Sequence, residues 1–221
     1  MIRKTVIPAG IFLILLFSPS YPQKIEVFNA MSIVDIIQER ITKVETFTGN
    51  FAYIFDGKAY SGSIIYKAPD KFRMDFSGGG QRIMSDGKYL WLLFDAQDIA
   101  VKEILDKAKS NPMMGWNIKR LLKDYAPMEP KEGFKVKYKD QIVYKIVFEP
   151  RNNTAGFRKI EMFASLEGYI LKVKAVTAMG KNLEFEITYN MGTINQAVSD
   201  ASFVFVQNEN TQVYENLLTQ Q

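Results

Sequence analysis

The side chains that most often do chemistry are missing from this 221-residue chain, which contains neither histidine nor cysteine. Without histidine, the commonest general base and the commonest metal ligand are lost together. Without cysteine there is no disulfide, no thiolate nucleophile, no sulfur-based metal site, and no residue to carry the acyl anchor of a bacterial lipoprotein. The remaining candidates are weak. Ser61-Gly62-Ser63 is not a G-x-S-x-G elbow and has no histidine to activate it. Gly78-Gly79-Gly80 could cradle a phosphate, but it precedes a strand pattern rather than a helix and reads as a hairpin loop. Glu184 and Glu186 fall on the polar side of an alternating strand, where solvation accounts for them, and no carboxylate spacing recommends glycosidase-type hydrolysis.

What the residue types do favour is the binding of something apolar. Phe47, Gly49, Phe51, Tyr53 and Phe55 recur at a period of two, as do Tyr60, Gly62, Ile64 and Tyr66, and then Phe72, Met74 and Phe76. An alternating strand puts each set on one face, and large aromatics on a concave face can line a cavity as well as fill a core. The segment Tyr89-Leu90-Trp91-Leu92-Leu93-Phe94 is apolar on both faces. Met113 and Met114 beside Trp116 form a soft, adaptable cluster. Candidate lipid contacts are therefore Phe51, Tyr53, Phe55, Ile64, Tyr66, Phe72, Met74, Phe76, Trp91, Leu93, Met113, Met114, Leu121 and Leu122. No cofactor or metal is called for.

The elements that must position these residues follow from periodicity. Ile33, Ile36, Ile37, Ile41 and Val44 predict an amphipathic helix over Asn29 to Val44, with Asn29 or Ser32 as its cap. Asp56-Gly57 and Asp86-Gly87 mark tight hairpin turns. Met113 to Tyr125, between Pro112 and Pro127, has helical spacing. Strands then resume over 134–138, 142–148, 157–163, 169–177 and 183–189, and Phe203-Val204-Phe205-Val206 predicts a closing strand.

The start of the chain reads as an export signal of about 20 residues, cut near residues 20–23. Arg3 and Lys4 precede the apolar run Ile7 to Phe17, and Ser18-Pro19-Ser20 supplies small residues for cleavage. The run is shorter than the roughly 20 residues a spanning helix needs. Residues 24–221 are expected to form one soluble domain in the periplasm. The precursor's net charge of +4 comes from 28 basic and 24 acidic residues, and loss of Arg3 and Lys4 brings it to +2. That weak, dispersed excess argues against nucleic-acid binding, which wants a concentrated basic face.

Three stretches together resemble the LolA family, the periplasmic carriers of outer-membrane lipoproteins. Ile64-Ile65-Tyr66-Lys67-Ala68-Pro69-Asp70-Lys71-Phe72-Arg73-Met74-Asp75 is similar to its strand–proline–strand pattern. Ser85-Asp86-Gly87-Lys88-Tyr89-Leu90-Trp91 resembles its S-D-G-K-x-L-W element, and Asp200-Ala201-Ser202-Phe203-Val204-Phe205 its closing strand. The resemblance implies an α+β fold: an unclosed antiparallel β-barrel covered by a lid of short α-helices around a hydrophobic cavity, with residues 29–44 and 113–125 as lid elements. It further implies acyl-chain cargo, an inner-membrane ABC lipoprotein-releasing complex and an outer-membrane acceptor as partners, and a monomeric carrier without enzymatic activity. Two positions depart from the pattern. Ala68 stands where the typical carrier has the arginine that latches its lid, and Gln207-Asn208-Glu209-Asn210 replaces a P-P-x-G. Arg73 lies on the opposite strand face from Phe72 and Met74 and is a poor substitute. A carrier of another envelope lipid fits these departures, and a sensing module like the RseB regulators, which have a similar fold, is a further alternative. RseB-type proteins carry a further C-terminal domain, whereas this chain is expected to end soon after its closing strand.

Overall fold

The computed structural model describes residues 28–105, 118–152 and 156–216. The expected export signal and the Met113-Met114 pair lie outside the described residues.

Helix α1 (Ala30–Lys43) forms where the 3.6-residue apolar period predicts it. The Asn29 side chain caps it, accepting a hydrogen bond from the Ser32 N–H at 3.0 Å, and Arg40 and Lys43 in the last turn suit the negative end of the helix. A meander follows, of strands β1 (Thr46–Phe55), β2 (Lys58–Lys67), β3 (Lys71–Phe76), β4 (Gln81–Asp86), β5 (Tyr89–Phe94) and β6 (Ile99–Ile104). Helix α2 (Ile118–Asp124) leads into β7 (Tyr125–Met128), β8 (Lys135–Tyr138), β9 (Gln141–Pro150), β10 (Phe157–Ala164), β11 (Ile170–Thr177) and β12 (Asn182–Tyr189), and β13 (Gln212–Glu215) comes last. Tyr125, expected at the end of the second helix, instead opens β7, which is drawn out to pair with residues 147–150 of β9.

All thirteen strands belong to one curved, unclosed sheet in the order β13-β6-β5-β4-β3-β2-β1-β12-β11-β10-β9-β7, with β8 beside β9. The chain meanders outward from β1 in both directions, so the pairings are antiparallel except that between β13 and β6. The Asp56-Gly57 turn fixes the first register, because both residues have positive φ (51° and 81°), as a two-residue loop between right-twisted strands requires. From that turn the pairs Phe55–Lys58, Tyr53–Tyr60, Phe51–Gly62, Gly49–Ile64 and Phe47–Tyr66 follow in step.

One expectation fails at the end of the chain. Phe203 to Val206 is not a strand: Asp200–Phe203 is a 3-10 turn whose start is held by the Ser199 side chain, and the residues after it are irregular. The alternation is real but serves another purpose. Phe203 is buried and Phe205 packs on Trp91, while Val204 and Val206 face solvent. Among the described residues no strand pairs with it, and the segment sets its aromatics against the outer face of the sheet without joining it.

The core has three parts. The main cluster lies between α1, α2 and the inner face of β9–β11, where Ile33, Val34 and Ile37 are 0% exposed and Ile118, Leu121 and Tyr125 join Ile146, Phe148 and Met162. The second lies on the inner face of β1–β3 and β12, and the third on the outer face of β4–β6.

Candidate functional site

The inner face of β1, β2, β3 and β12 collects the aromatic residues. Because β1 pairs Phe47, Phe51 and Tyr53 with Tyr66, Gly62 and Tyr60, and β2 pairs Tyr66, Ile64 and Gly62 with Phe72, Met74 and Phe76, all of these share one side of the sheet. The β1–β12 register adds Tyr189, Ile187 and Phe185 to the same side. Rings then meet across the strands. Phe47 lies 5.3 Å from Tyr66 and 4.9 Å from Tyr189, and Phe51 lies 5.0 Å from Phe76 and 6.0 Å from Phe185. Tyr60 continues the series 6.0 Å from Tyr53 and 6.2 Å from Phe76. These edge-to-face and offset separations are ones that aromatic pairs favour.

Gly62 makes this packing possible. A Cβ there would sit 1.9 Å from the Asp75 carbonyl oxygen and 2.8 Å from Phe51 Cε1. Only a residue without a side chain lets β3 and the Phe51 ring approach β2 this closely.

Burial along the face is graded. Phe51, Ile64, Tyr66, Phe72 and Met74 are buried, Tyr53, Phe55 and Phe76 are half-buried, and Tyr60 is exposed. The half-buried and exposed members are therefore the accessible part of the face, and the buried members lie beneath them. At the end nearest α1, a small, partly open cleft is lined by Arg40, Val44, Phe47, Tyr66, Tyr169 and Tyr189 among others. Arg40 reaches over it from the helix. Its Nε donates to the Glu167 carbonyl oxygen at 2.8 Å, and its guanidinium carbon is 4.7 Å from the centre of the Tyr169 ring.

The electrostatics suit an apolar occupant. Burial pushes the Tyr66 phenol up to about 12, with the charge of Asp70 adding to the effect. Burial also raises Tyr53 and Tyr189 above the ordinary tyrosine range. These phenols stay neutral at physiological pH and offer no base. Among the described residues no group of three or more acidic side chains is arranged to hold a metal ion.

Eight of the expected lipid contacts are thus brought together: Phe51, Tyr53, Phe55, Ile64, Tyr66, Phe72, Met74 and Phe76. Trp91 and Leu93 are not. The β4–β5 register pairs Met84 with Trp91 and Arg82 with Leu93, and β3–β4 pairs Arg73 with Met84 and Asp75 with Arg82. Both residues therefore lie on the outer face with Arg73, where Trp91 is 4.8 Å from Phe205 and Leu93 is buried. Inward parity belongs to Leu90 and Leu92, which follow Phe72 and Met74 through Ser85 and Ile83. Leu121 and Leu122 pack into or against the cluster beneath α1 rather than the aromatic one. Arg73 is on the outer face as expected, its Nε 2.8 Å from Asp75 Oδ2. The sequence reading missed Leu90 and Leu92, although counting partners back from the Asp86-Gly87 turn recovers their parity. It also missed Arg40, whose backbone partner Glu167 is 127 residues away.

The profile of the family described as "Outer membrane lipoprotein carrier protein LolA" matches residues 42–206, more than half of the chain. No curated protein matches it. Among solved structures, MucB superposes with a TM-score of 0.54 at 16% identity, covering 80% of this chain and 62% of MucB. The MucA/MucB complex from Pseudomonas aeruginosa gives 0.51 at 15% identity, covering 84% of this chain and 63% of the other. An uncharacterized conserved protein from Thermus thermophilus gives 0.53 at 12% identity, covering 85% of this chain and 99% of its own. At these identities the likeness is one of fold. The chain spans less than two thirds of the MucB chains it matches.

Proposed function

Since the chain belongs to the LolA family of outer membrane lipoprotein carrier proteins, we propose that it is a periplasmic carrier. It binds lipoprotein acyl chains on the aromatic inner face of β1–β3 and β12 and shuttles them from the inner to the outer membrane. The supporting observation is the aromatic inner face, where one group of rings (Tyr189, Phe47 and Tyr66) and a second (Phe185, Phe51, Phe76 and Tyr60) lie on the same side of the sheet with Ile64 and Ile187 beside them. The half-buried Tyr53, Phe55 and Phe76 make the first contact with cargo, and Phe51, Ile64, Tyr66, Phe72 and Met74 form the wall behind them.

Energetics require a site of this kind. Each buried methylene is worth about 0.8 kcal/mol, so one sixteen-carbon chain carries on the order of 12 kcal/mol of burial that a carrier must match to draw it from a membrane. A polar cleft cannot compete, whereas rings and thioethers beside a coverable groove can. Among the described residues no helix is long and apolar enough to cross a membrane, which fits a carrier released by an export signal. An inner-membrane ABC complex as donor and an outer-membrane acceptor complete the proposed route, with no enzymatic step.

Native mass spectrometry of the protein purified from its own envelope tests this reading. Bound lipoprotein or acylated lipid is the expected result, and an empty protein that takes up no added acyl lipid would overturn it. Bound lipid other than lipoprotein would keep the carrier and change its cargo. The fold shared with MucB raises a second reading, capture of a partner peptide. A peptide found in place of lipid would favour it.

A further inference from the structure

We propose that the cleft under the last turn of α1 is the head-group end of the lipid site, and that Arg40 selects amphiphiles with an anionic head. This rests on the carrier reading and, because the acylated cysteine of a lipoprotein is uncharged, narrows the cargo to an anionic envelope lipid other than lipoprotein. Of the nine described residues lining the cleft, Arg40 is the only charged one, and the others include Phe47, Tyr66 and Tyr189, which form the first ring group of the series on the inner face of β1–β3 and β12. A chain lying along that series would bring its polar end beneath the guanidinium.

The arginine is held in place without being neutralised. The Glu167 carbonyl oxygen takes its Nε–H at 2.8 Å and Tyr169 supports one face. The other four N–H groups of the fork remain for a ligand, and among the described residues no carboxylate pairs with it. Two acids feel its charge without a salt bridge to it: Glu39, bonded to Lys43 at 2.5 Å, and the Glu167 carboxyl, whose acidity the Ser165 hydroxyl strengthens most and Arg40 adds to. The turn itself is locked against the helix, because a Cβ on Gly168 would lie 2.6 Å from the Ile36 carbonyl oxygen and 3.0 Å from Arg40 Cβ.

The carbonyl end of α1 would repel an anion, so the sign of the field needs checking. Asn195 Nδ2 donates to the Lys43 carbonyl at 2.9 Å, and the Val44 N–H donates to the carbonyls of Arg40 and Ile41. With those oxygens covered, the charge of Arg40 decides the potential in the cleft. A carboxylate or phosphate accepts two parallel bonds from a guanidinium, whereas a hydroxyl head cannot use the charge.

The test compares three ligands with the same sixteen-carbon chain: palmitate, 1-hexadecanol and a lysophosphatidylglycerol. Each competes with the neutral probe diphenylhexatriene on the whole chain. Palmitate should bind about tenfold tighter than hexadecanol, the effect of one charge-assisted pair at a half-exposed site. Arg40→Gln should abolish that preference while changing hexadecanol binding less than about twofold, and Arg40→Lys, which keeps the charge but loses the bidentate fork, should restore only part of it. Lysophosphatidylglycerol binding as tightly as palmitate or tighter points to phospholipid as the source of the head group, and weaker binding points to free fatty acid. Equal affinity of the wild-type protein for palmitate and hexadecanol overturns the proposal and leaves the carrier standing. Parallel loss of both ligands in Arg40→Gln also overturns it, making Arg40 a clasp for the helix. Failure of the protein to bind the probe or any of the three overturns the carrier reading as well.

Discussion

Gly62 faces Phe51 across the β1–β2 ladder, and the space a side chain would need at position 62 is already filled by the Phe51 ring and the Asp75 carbonyl oxygen. The ring can turn aside, but the backbone oxygen belongs to the β2–β3 pairing and cannot. Gly62→Ala should therefore cost about 2 kcal/mol or more, at the upper end of small-to-large changes in a packed core. Chemical denaturation of the two proteins measures this directly. A loss below about 0.5 kcal/mol would mean that β3 shifts freely and that the ring series is not fixed by Gly62.

Burial separates the residues that hold the aromatic face from those that meet cargo. Phe72 is 7% exposed and Met74 6%, against 40% for Tyr60. Phe72→Ala should destabilise the protein by about 3–5 kcal/mol, and its loss of ligand will follow its loss of fold. Tyr60→Ala should cost about 1 kcal/mol or less in stability yet weaken acyl-chain binding several-fold. Binding by Tyr60→Ala indistinguishable from wild type would remove the exposed end of the series from the site.

On the other side of the sheet, Trp91 lies against Phe205 and beneath the Lys102 ammonium, which sits 5.6 Å from its ring centre. Trp91→Ala should lower stability by about 1–3 kcal/mol and speed amide exchange in 203–215, without changing ligand affinity measured on the folded protein. A selective loss of lipid binding would place cargo on the outer face after all.

How far these residues could be read from sequence depended on whether one face or both were buried. Helix α1 and strands β1–β3 were legible because each buries a single side, which leaves a clean period of 3.6 or 2, and Asp56-Gly57 then sets the register by its backbone alone. Tyr89 to Phe94 carries no period, since its inner side continues the aromatic face and its outer side is covered by the Phe205 segment. With no alternation to choose between Trp91 and Leu92, the larger ring was the wrong guide. Strand β13 is a four-residue, largely exposed parallel edge, which hydrophobic patterning has no means of detecting. Arg40 was invisible for a different reason: its partners come from the β10–β11 turn, and only the folded sheet brings that turn under the helix.

The outer face of β8–β12 sets the acid response. Glu184 is held below the usual carboxylate range by Lys172 and Lys174, at 2.6 Å and 3.2 Å. Burial pushes Glu161 up, but Lys159 at 2.6 Å and Lys145 at 3.4 Å outweigh it and lower the group overall. Glu186 is likewise raised by burial and then lowered further by Lys139. For depressed acids the unfolded chain takes up protons first. Their contribution is complete above the ordinary glutamate value and disappears as pH falls through the folded one. The melting temperature should accordingly be flat from pH 7 to about 5 and drop below about 4.5. Glu161→Gln with Glu184→Gln should start lower at neutral pH and flatten the drop. An unchanged acid limb in that double variant would assign the response elsewhere.

The last prediction concerns what moves when cargo enters. Ile33, Val34 and Ile37 are 0% exposed and pack against β9–β11. Lifting α1 as a body would return three large side chains to water, at about 1.5–3 kcal/mol each, a large share of the roughly 5–15 kcal/mol that holds a domain together. The final turn is different, because Arg40, Ile41 and Val44 stand over the cleft, fastened by the Glu167 carbonyl and by Asn195. Opening therefore belongs to that turn and to the 165–169 loop, with the first three turns of α1 staying seated. Amide exchange should show residues 33–37 protected nearly to the level of global unfolding, with or without palmitate. Residues 41–45 and 167–169 should exchange faster in the empty protein and slow when the ligand is bound. Fast exchange at 33–37 in the empty protein, suppressed by palmitate, would show that the whole helix swings and that the main core is remade on loading.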